Sequence, residues 1–515
     1  MKAKIGEIIS ASVSEGLEVK LELDNPEDLR IGYPIIVEGN SYEFYCIVED
    51  VVNKNTDIAE RLAGSALRDS IIPSGTTHEG YGGRIFYSKA ILRPIQLIDK
   101  ETNELSEAQT IPPYFAEARH ATRDDVERIY EVNKHSAPVG SIRGVEEFMV
   151  HLDFKKLTEK PFGIFGRTGM GKSILNKLVC LGILAKRSGS VLIFDMHSEY
   201  GIYSRGDNME GLKYYFPERV EVFSLDPKNT EAKPFIINPR DIRPEDLIVS
   251  MRDLTQNMRD AIYEVDRTRG AEDLVRAIRN IDPDNIDEGK IHLSVINAVK
   301  RRIGRLDRFS FVRGGKDTFK QMVELIKDGK SIVIDFGDYG TDQMVYLFVA
   351  NILARRLFNL YVEKNMESSR LVVFLEEAHK FLEPEIASYT IFSRLARETR
   401  KFNLILALVD QRPSRIDDEV RSQLANRLVM SMKEPSDISS SLAGVRDKSM
   451  WETIIGTIPA RTVAVMGDAI RIPTVINIMD YTPENVRTHI IGESDTISND
   501  KIDKIAKQAT TVLDF

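Results

Sequence analysis

The stretch GRTGMGKS at residues 166–173 constrains this chain more than any other part of it. Glycine, four residues and then Gly-Lys-Ser is the spacing of a loop that holds phosphate. Gly166, Gly169 and Gly171 permit backbone angles that other residues reach only with strain, and none puts a Cβ in the way of a bound anion. Successive N–H groups along Gly166, Arg167, Thr168, Gly169, Met170, Gly171, Lys172, Ser173 and Ile174 then form an anion nest at the start of a helix, where the dipole also favours negative charge. Lys172 is placed to reach the β- and γ-phosphates, and the Ser173 hydroxyl to bind Mg²⁺. The context agrees: the apolar run FGIF leads in, and ILNKLVCLGILA leads out with helical spacing.

Similar apolar runs recur from about residue 150 onward: VLIF (191–194), IVIDF (332–336), LVVFL (371–375), LILALV (404–409) and LVMSM (428–432). Strands so uniformly apolar are covered on both faces, as in a parallel sheet flanked by helices. The expected core is therefore an α/β RecA-like fold of the additional-strand P-loop class, over 151–204 and 326–490. Between them, 205–325 shows helical spacing with few strand signals and reads as a helical insertion. Residues 1–110 carry β-branched runs with turn punctuation, the pattern of a small N-terminal β-barrel. In that region IAERLAGSALRD alone suggests a helix. Residues 111–150 read as a connector and 491–515 as a polar C-terminal arm.

Composition restricts the classes. With 42% hydrophobic and 29% charged residues, the chain can bury a large core. The longest apolar stretch, MVYLFVANILARRLFNLYV (344–362), is broken by Asn351, Arg355 and Arg356, and so reads as a buried helix with one polar edge. No signal-peptide core follows the N-terminus, and the two cysteines have no metal-site spacing, which suits a cytoplasmic setting. A net charge of −9 argues against a surface that coats nucleic acid, but not against a local positive channel.

A nucleotide-hydrolysing P-loop needs an acid after a buried strand to hold Mg²⁺, and often a second to align water. Three strands end in acids: Asp195, Asp335, and the Glu376–Glu377 pair. In the additional-strand class the acid-bearing strand is followed by one helix and then a strand ending in a polar sensor. LVVFLEEAHKF, SRLARETRKF and LILALVDQRP follow that order, with Gln411 at the sensor position. Glu376 is thus the candidate for Mg²⁺ and Glu377 for polarising water. Asp195, His197 and Glu199 in DMHSEY lie either near the γ-phosphate or on a DNA-facing loop, or else Asp195 is a helix cap. Asp335 reads as a cap or loop residue.

Arg394, Arg397 and Arg400 fall at spacings of three along one helical stripe, with Lys401 beside them. Such a stripe is either a solvated face or, just ahead of the sensor strand, a source of an arginine finger for a neighbouring subunit. Arg400 is the first candidate for that role and Arg397 the substitute.

GRTGMGKS, DMHSEY, LVVFLEEAHKF, RETRKFNL and DQRPS, in this order, resemble the HerA branch of the HerA–FtsK ATPases. The resemblance implies a hexameric, ATP-driven motor on double-stranded DNA, acting in end processing with a NurA-like nuclease or with an antiviral defence effector. It implies phosphate and Mg²⁺ at Lys172 and Ser173, hydrolysis at Glu376 and Glu377, Arg400 acting in trans, Gln411 sensing the γ-phosphate, and Lys160 reaching the nucleotide. The tail resembles an arm that braces a neighbouring subunit. One departure is DQRP at 410–413, where the family often has SQRP. Two other readings share these motifs: a nucleotide-gated scaffold for a nuclease, and a secretion or conjugation motor. The lack of a membrane segment weighs against the second.

Overall fold

The computed structural model describes residues 4–23, 25–55, 86–130, 132–204, 209–281, 292–315, 318–363 and 370–492. The helix expected at 58–69 lies outside the described residues, as does the arm beyond residue 492. Two compact units emerge. The first comprises residues 1–133, 138–152 and 428–479; the second comprises 134–137, 153–427 and 480–515.

The first unit opens with β1 (Lys4–Ser12), β2 (Gly16–Leu21), β3 (Pro34–Glu38), β4 (Tyr42–Asn55), β5 (Phe86–Asp99), β6 (Leu105–Glu107) and β7 (Glu117–His120). Their order is β2-β1-β7-β3-β4-β5-β6, and β2 also pairs with β5, which closes the first six into a barrel. Alternate residues point inward: Ile35 and Val37 from β3, and Phe44, Cys46 and Val48 from β4, share one apolar core. Irregularities at Tyr45/Cys46 and Val48/Asp50 bend the long β4–β5 ribbon so that it can close. At Gly6 a Cβ would sit 1.9 Å from the Lys20 carbonyl oxygen, so only glycine lets β1 and β2 approach there. The stretch 111–150 supplies β7, helix α1 (Arg123–Ile129) and most of a hairpin, β8 (Ser136–Ile142) and β9 (Val145–Asp153).

A buried ionic knot joins β7 to α1. Arg119, only 1% exposed, donates to Asp125 at 2.6 and 3.1 Å and to Glu38 at 2.8 Å. Arg128 bridges Asp125 and Glu43, both at 2.7 Å. Burial by itself would raise the Asp125 carboxyl, but Arg119 and the Thr122 cap outweigh it and hold it well below the usual range. Removing one partner of such a cluster leaves uncompensated buried charge. Arg119→Leu is therefore expected to destabilise this unit by about 3–5 kcal/mol. Urea unfolding followed by Trp451, the single tryptophan and buried in the same unit, will measure it. A depressed carboxyl stabilises fully above its unfolded value near about 4, and the effect fades as pH falls further. The gap between wild type and variant should accordingly narrow below about pH 4.

The second unit is built on a parallel sheet. Its strands are β10 (Phe162–Phe165), β11 (Ser190–Asp195), β12 (Val220–Ser224), β13 (Lys233–Pro234), β14 (Ser331–Asp335), β15 (Leu371–Glu376) and β16 (Leu404–Asp410). They lie in the order β13-β12-β14-β11-β15-β16-β10, and each neighbouring pair runs parallel. The P-loop strand and the acid-bearing strand are thus separated by the sensor strand, the arrangement of the additional-strand class. Helix α2 (Lys172–Ala185) follows β10.

Residues 205–325 hold helices α3 (Pro244–Ser250), α4 (Gln256–Thr268), α5 (Leu274–Asn280), α6 (Leu293–Ile303) and α7 (Thr318–Lys327). They also hold β12 and β13, which belong to the sheet. VEVFS is too short for its apolar residues to stand out among helical patterns. Helix α8 (Gln343–Phe358), within the apolar stretch singled out above, is mostly buried. Its polar residues serve the fold: Asn351 donates to Asp246 at 2.9 Å, Arg355 donates to Asp246 at 2.6 Å, and Arg356 donates to Asp241 at 2.9 Å. Helix α9 (Ile391–Glu398) carries the start of the arginine row. The chain then re-enters the first unit through β17 (Asn426–Met430), followed by β18 (Thr462–Gly467) and β19 (Thr474–Ile478). β19 pairs antiparallel with β18 and with β8.

Candidate nucleotide-binding site

Three strand ends stand side by side in the second unit. Phe165 pairs with Asp410, and Glu376 with Val409, so the loops after β10, β16 and β15 leave from the same level. Carboxyl ends of parallel strands form the ligand-binding edge of an open α/β sheet.

The loop after β10 has the geometry of a cradle. Gly166 N–H donates to the Asp410 carbonyl at 3.2 Å, which fixes where the loop starts. Gly169 and Gly171 have φ of +81° and +97°, the left-handed region that favours glycine. A Cβ on Gly169 would meet nothing within 4 Å, so that side of the loop is open. Gly171 caps α2, and Lys172, Ser173 and Ile174, all half-buried, form its first turn. Arg167 Nε is buried without an acceptor. Among the described residues Lys172 Nζ reaches only the Gly166 carbonyl, at 3.4 Å, a long contact that leaves the ammonium available. Burial lowers its proton affinity, and the carboxylates of Glu377, Asp410, Glu376 and Glu199 partly restore it. Among the described residues no three His, Cys, Asp or Glu side chains are grouped to cage a metal ion, so a divalent cation here would be held by one or two protein oxygens together with nucleotide phosphates.

Glu377, Gln411 and Thr168 are linked directly. Gln411 Nε2 donates to Glu377 Oε1 at 2.8 Å, and Thr168 Oγ1 donates to Gln411 Oε1 at 2.5 Å. One amide thus joins the phosphate loop to the acid that follows β15.

Glu376 belongs to a second chain of hydrogen bonds. The Tyr200 hydroxyl donates to Glu376 Oε1 at 2.6 Å and accepts from Asn176 Nδ2 at 2.8 Å. Burial pushes the Glu376 carboxyl up to about 7, with the Tyr200 hydrogen bond pulling the other way. Asp195 has no exposed surface and accepts from the backbone N–H groups of Glu199 and Tyr200 at 2.9 and 2.8 Å. Burial pushes it too up to about 7, against those two amides. Of the alternatives left open for Asp195, the observed contacts are those of a cap on its own loop, which sets the Tyr200 ring beside Glu376. His197 is exposed on the same loop. Asp335, expected as a cap or loop residue, is instead the last residue of β14, and its carboxylate accepts from the Ser198, Ser224 and Asn229 side chains at 2.6, 2.9 and 2.9 Å. Tyr200→Phe would strip Glu376 of its donor and Asn176 of its acceptor inside the fold. A loss of about 1–3 kcal/mol in thermal unfolding of the metal-free protein is expected.

Arg394 pairs with Glu398 at 3.2 Å and lies over the Phe358 ring. Arg397 donates to Glu419 at 2.7 Å and remains 38% exposed. The backbone of Arg400 is in the short helix Thr399–Phe402, and its side chain lies outside the described residues. Lys160 is half-buried in the bend before β10.

Residues 137–357 match the family model for the central domain of helicase HerA. Over 503 residues, 92% of each chain, the sequence is 24% identical to the DNA double-strand break repair helicase HerA of Sulfurisphaera tokodaii. The chain is similar to HerA helicases over most of its length. A second relative, the DNA double-strand break repair helicase HerA of Pyrococcus furiosus, is 22% identical over 78% of this chain and 80% of its own. Among solved structures, VirB4 of Thermoanaerobacter pseudethanolicus superposes at TM-score 0.48 and 15% identity, covering 69% of this chain and 99% of that one. Within this chain, sequence patterns assign no role to Asn176, Tyr200 or His379, yet each touches a site residue. The quoted motifs DMHSEY and EEAH contain two of them, and the spacing of a polar residue just past a strand end was the signal available.

Proposed function

We propose that this chain is an ATP hydrolase whose cycle drives movement along double-stranded DNA. The observation that carries the reading is the hydrogen-bonded path from Thr168 through Gln411 to Glu377, beside a loosely held Lys172. A residue contacting the phosphate loop, a reporter amide and a carboxylate able to take a proton from water are the parts that phosphoryl transfer to water requires. Lys172 offsets charge on the terminal phosphates, Glu377 orients and deprotonates the attacking water, and Gln411 reports whether the γ-phosphate is present. Ser173 and Glu376 would hold Mg²⁺, which supplies charge neutralisation on the phosphates when bound. Names of the HerA relatives, DNA double-strand break repair helicases, support DNA as the track.

The further parts of the reading are a ring of six copies around the duplex, a NurA-like nuclease or other effector as partner, and work in the cytoplasm. Arg400, or Arg397 as its substitute, completes a neighbour's site across the ring. Such a ring confines backbone contacts to its inner surface, so the −9 charge of the chain is no obstacle.

Steady-state ATP hydrolysis with and without linear duplex DNA, across a salt series, tests the proposal. Stimulation that fades as salt rises is expected, because phosphate contacts release counterions. Hydrolysis indifferent to DNA at every salt concentration would overturn the motor reading in favour of a nucleotide-gated scaffold.

A further inference from the structure

Glu377 has φ of +48°, a left-handed conformation for a residue with a full side chain. Strain of this kind persists only where the surroundings over-determine the backbone. The surroundings here converge on one carboxylate. Asp410, the last residue of β16, has no exposed surface. It accepts from the His379 backbone N–H at 2.6 Å and from the Arg412 backbone N–H at 2.6 Å. The His379 ring adds a third donor, with Nδ1 at 3.1 and 3.0 Å from the two carboxylate oxygens. Facing a carboxylate, which only accepts, Nδ1 carries the proton.

We infer that Asp410 and His379 form a positioning pair that sets Glu377 and Gln411 for hydrolysis. The inference rests on the reading of Glu377 as the residue that activates water. The pair reaches both catalytic loops through main chain: His379 follows Glu377 by two residues, and Arg412 follows Gln411 by one. The same His379 Nδ1 lies 3.9 Å from Glu377 Oε2. Burial would raise the Asp410 carboxyl, and the His379 side chain together with the two backbone N–H groups outweighs it, so the group is held below its usual value as a full acceptor.

The residue type matters. A carboxylate offers two oxygens, enough for three N–H donors. A serine at this position has one oxygen and brings a donor of its own, so it cannot receive all three. Asp410 and His379 therefore belong together in this chain: the acid accepts from the imidazole that DQRP places beside EEAH.

The test uses the full chain, with ATP hydrolysis and equilibrium binding of a fluorescent ATP analogue as readouts. Asp410→Ser and His379→Ala should each lower kcat about 10–100-fold while leaving analogue affinity nearly unchanged. The double variant should be no slower than the worse single one, and His379→Asn, which keeps a donor near Nδ1, should recover part of the loss. In a Glu377→Gln background neither change should cost further rate, since both act through Glu377. A kcat within about 2-fold of wild type for His379→Ala would overturn the pairing. So would an equal further loss in the Glu377→Gln background, which marks a packing role. If Glu377→Gln itself hydrolyses ATP at the wild-type rate, the water-activating reading fails, and this inference with it.

Discussion

Glu377→Gln will bind ATP as tightly as the wild type and hydrolyse it about 10²–10⁴ times more slowly, the usual contribution of a positioned general base. The substitution is close to isosteric. Its amide oxygen can still accept from Gln411 Nε2, so the 2.8 Å link and the left-handed turn at this position should survive. What disappears is the ability to take a proton. Glu376→Gln is the informative control, because Glu376 is engaged by the Tyr200 hydroxyl rather than by Gln411. Its loss should appear in the magnesium dependence of hydrolysis, whereas Glu377→Gln should slow the reaction equally at all magnesium concentrations. Phosphate release measured against magnesium for both variants will separate the two carboxylates. Identical profiles would mean that the division of roles between them is wrong.

Much of the second unit was legible because its signals are local. The P-loop spacing at 166–173 and the uniformly apolar runs that became β10, β11, β14, β15 and β16 each need only a short window to read. Chain order made β15, rather than β11 or β14, the candidate for the working acids, and in the sheet β16 lies between β10 and β15. β12 was missed because VEVFS lies in a helix-rich region and is recognisable as a strand only by its pairing with β14. The supporting residues around the acids were illegible for a different reason. Tyr200 and Glu376 are 176 positions apart, and their hydrogen bond exists only after β11 and β15 have paired. Asp410 shows the same limit from the other side. In the sequence it stood out only as a departure from SQRP. In three dimensions it holds the main chain of two loops at once. Asp195 stood between a catalytic and a capping role until the direction of its carboxylate, toward the amides of Glu199 and Tyr200, was known.

Lys172→Ala is expected to lower ATP hydrolysis about 10²–10³-fold, as removal of a preorganised charge donor from a transition state does, and to weaken nucleotide binding as well. The fold should tolerate the change. Lys172 opens α2, alanine is the best helix former, and the only hydrogen bond lost is the 3.4 Å contact to Gly166. The electrostatic consequence is larger than the structural one. Glu376, Glu377, Asp410 and Glu199 all act on the Lys172 ammonium, and without it these acids face one another and the incoming phosphates with that offsetting charge removed. Repulsion then rises on both sides of the reaction, in binding and in the transferring phosphoryl group. This predicts a signature distinct from that of Glu377→Gln: Lys172→Ala should raise the dissociation constant and reduce kcat together, while Glu377→Gln reduces kcat alone. Equilibrium binding of a fluorescent ATP analogue, run beside the hydrolysis assay, distinguishes them. Unchanged affinity and rate in Lys172→Ala would mean that the GRTGMGKS loop does not hold the hydrolysed nucleotide, and the proposed site would have to be given up.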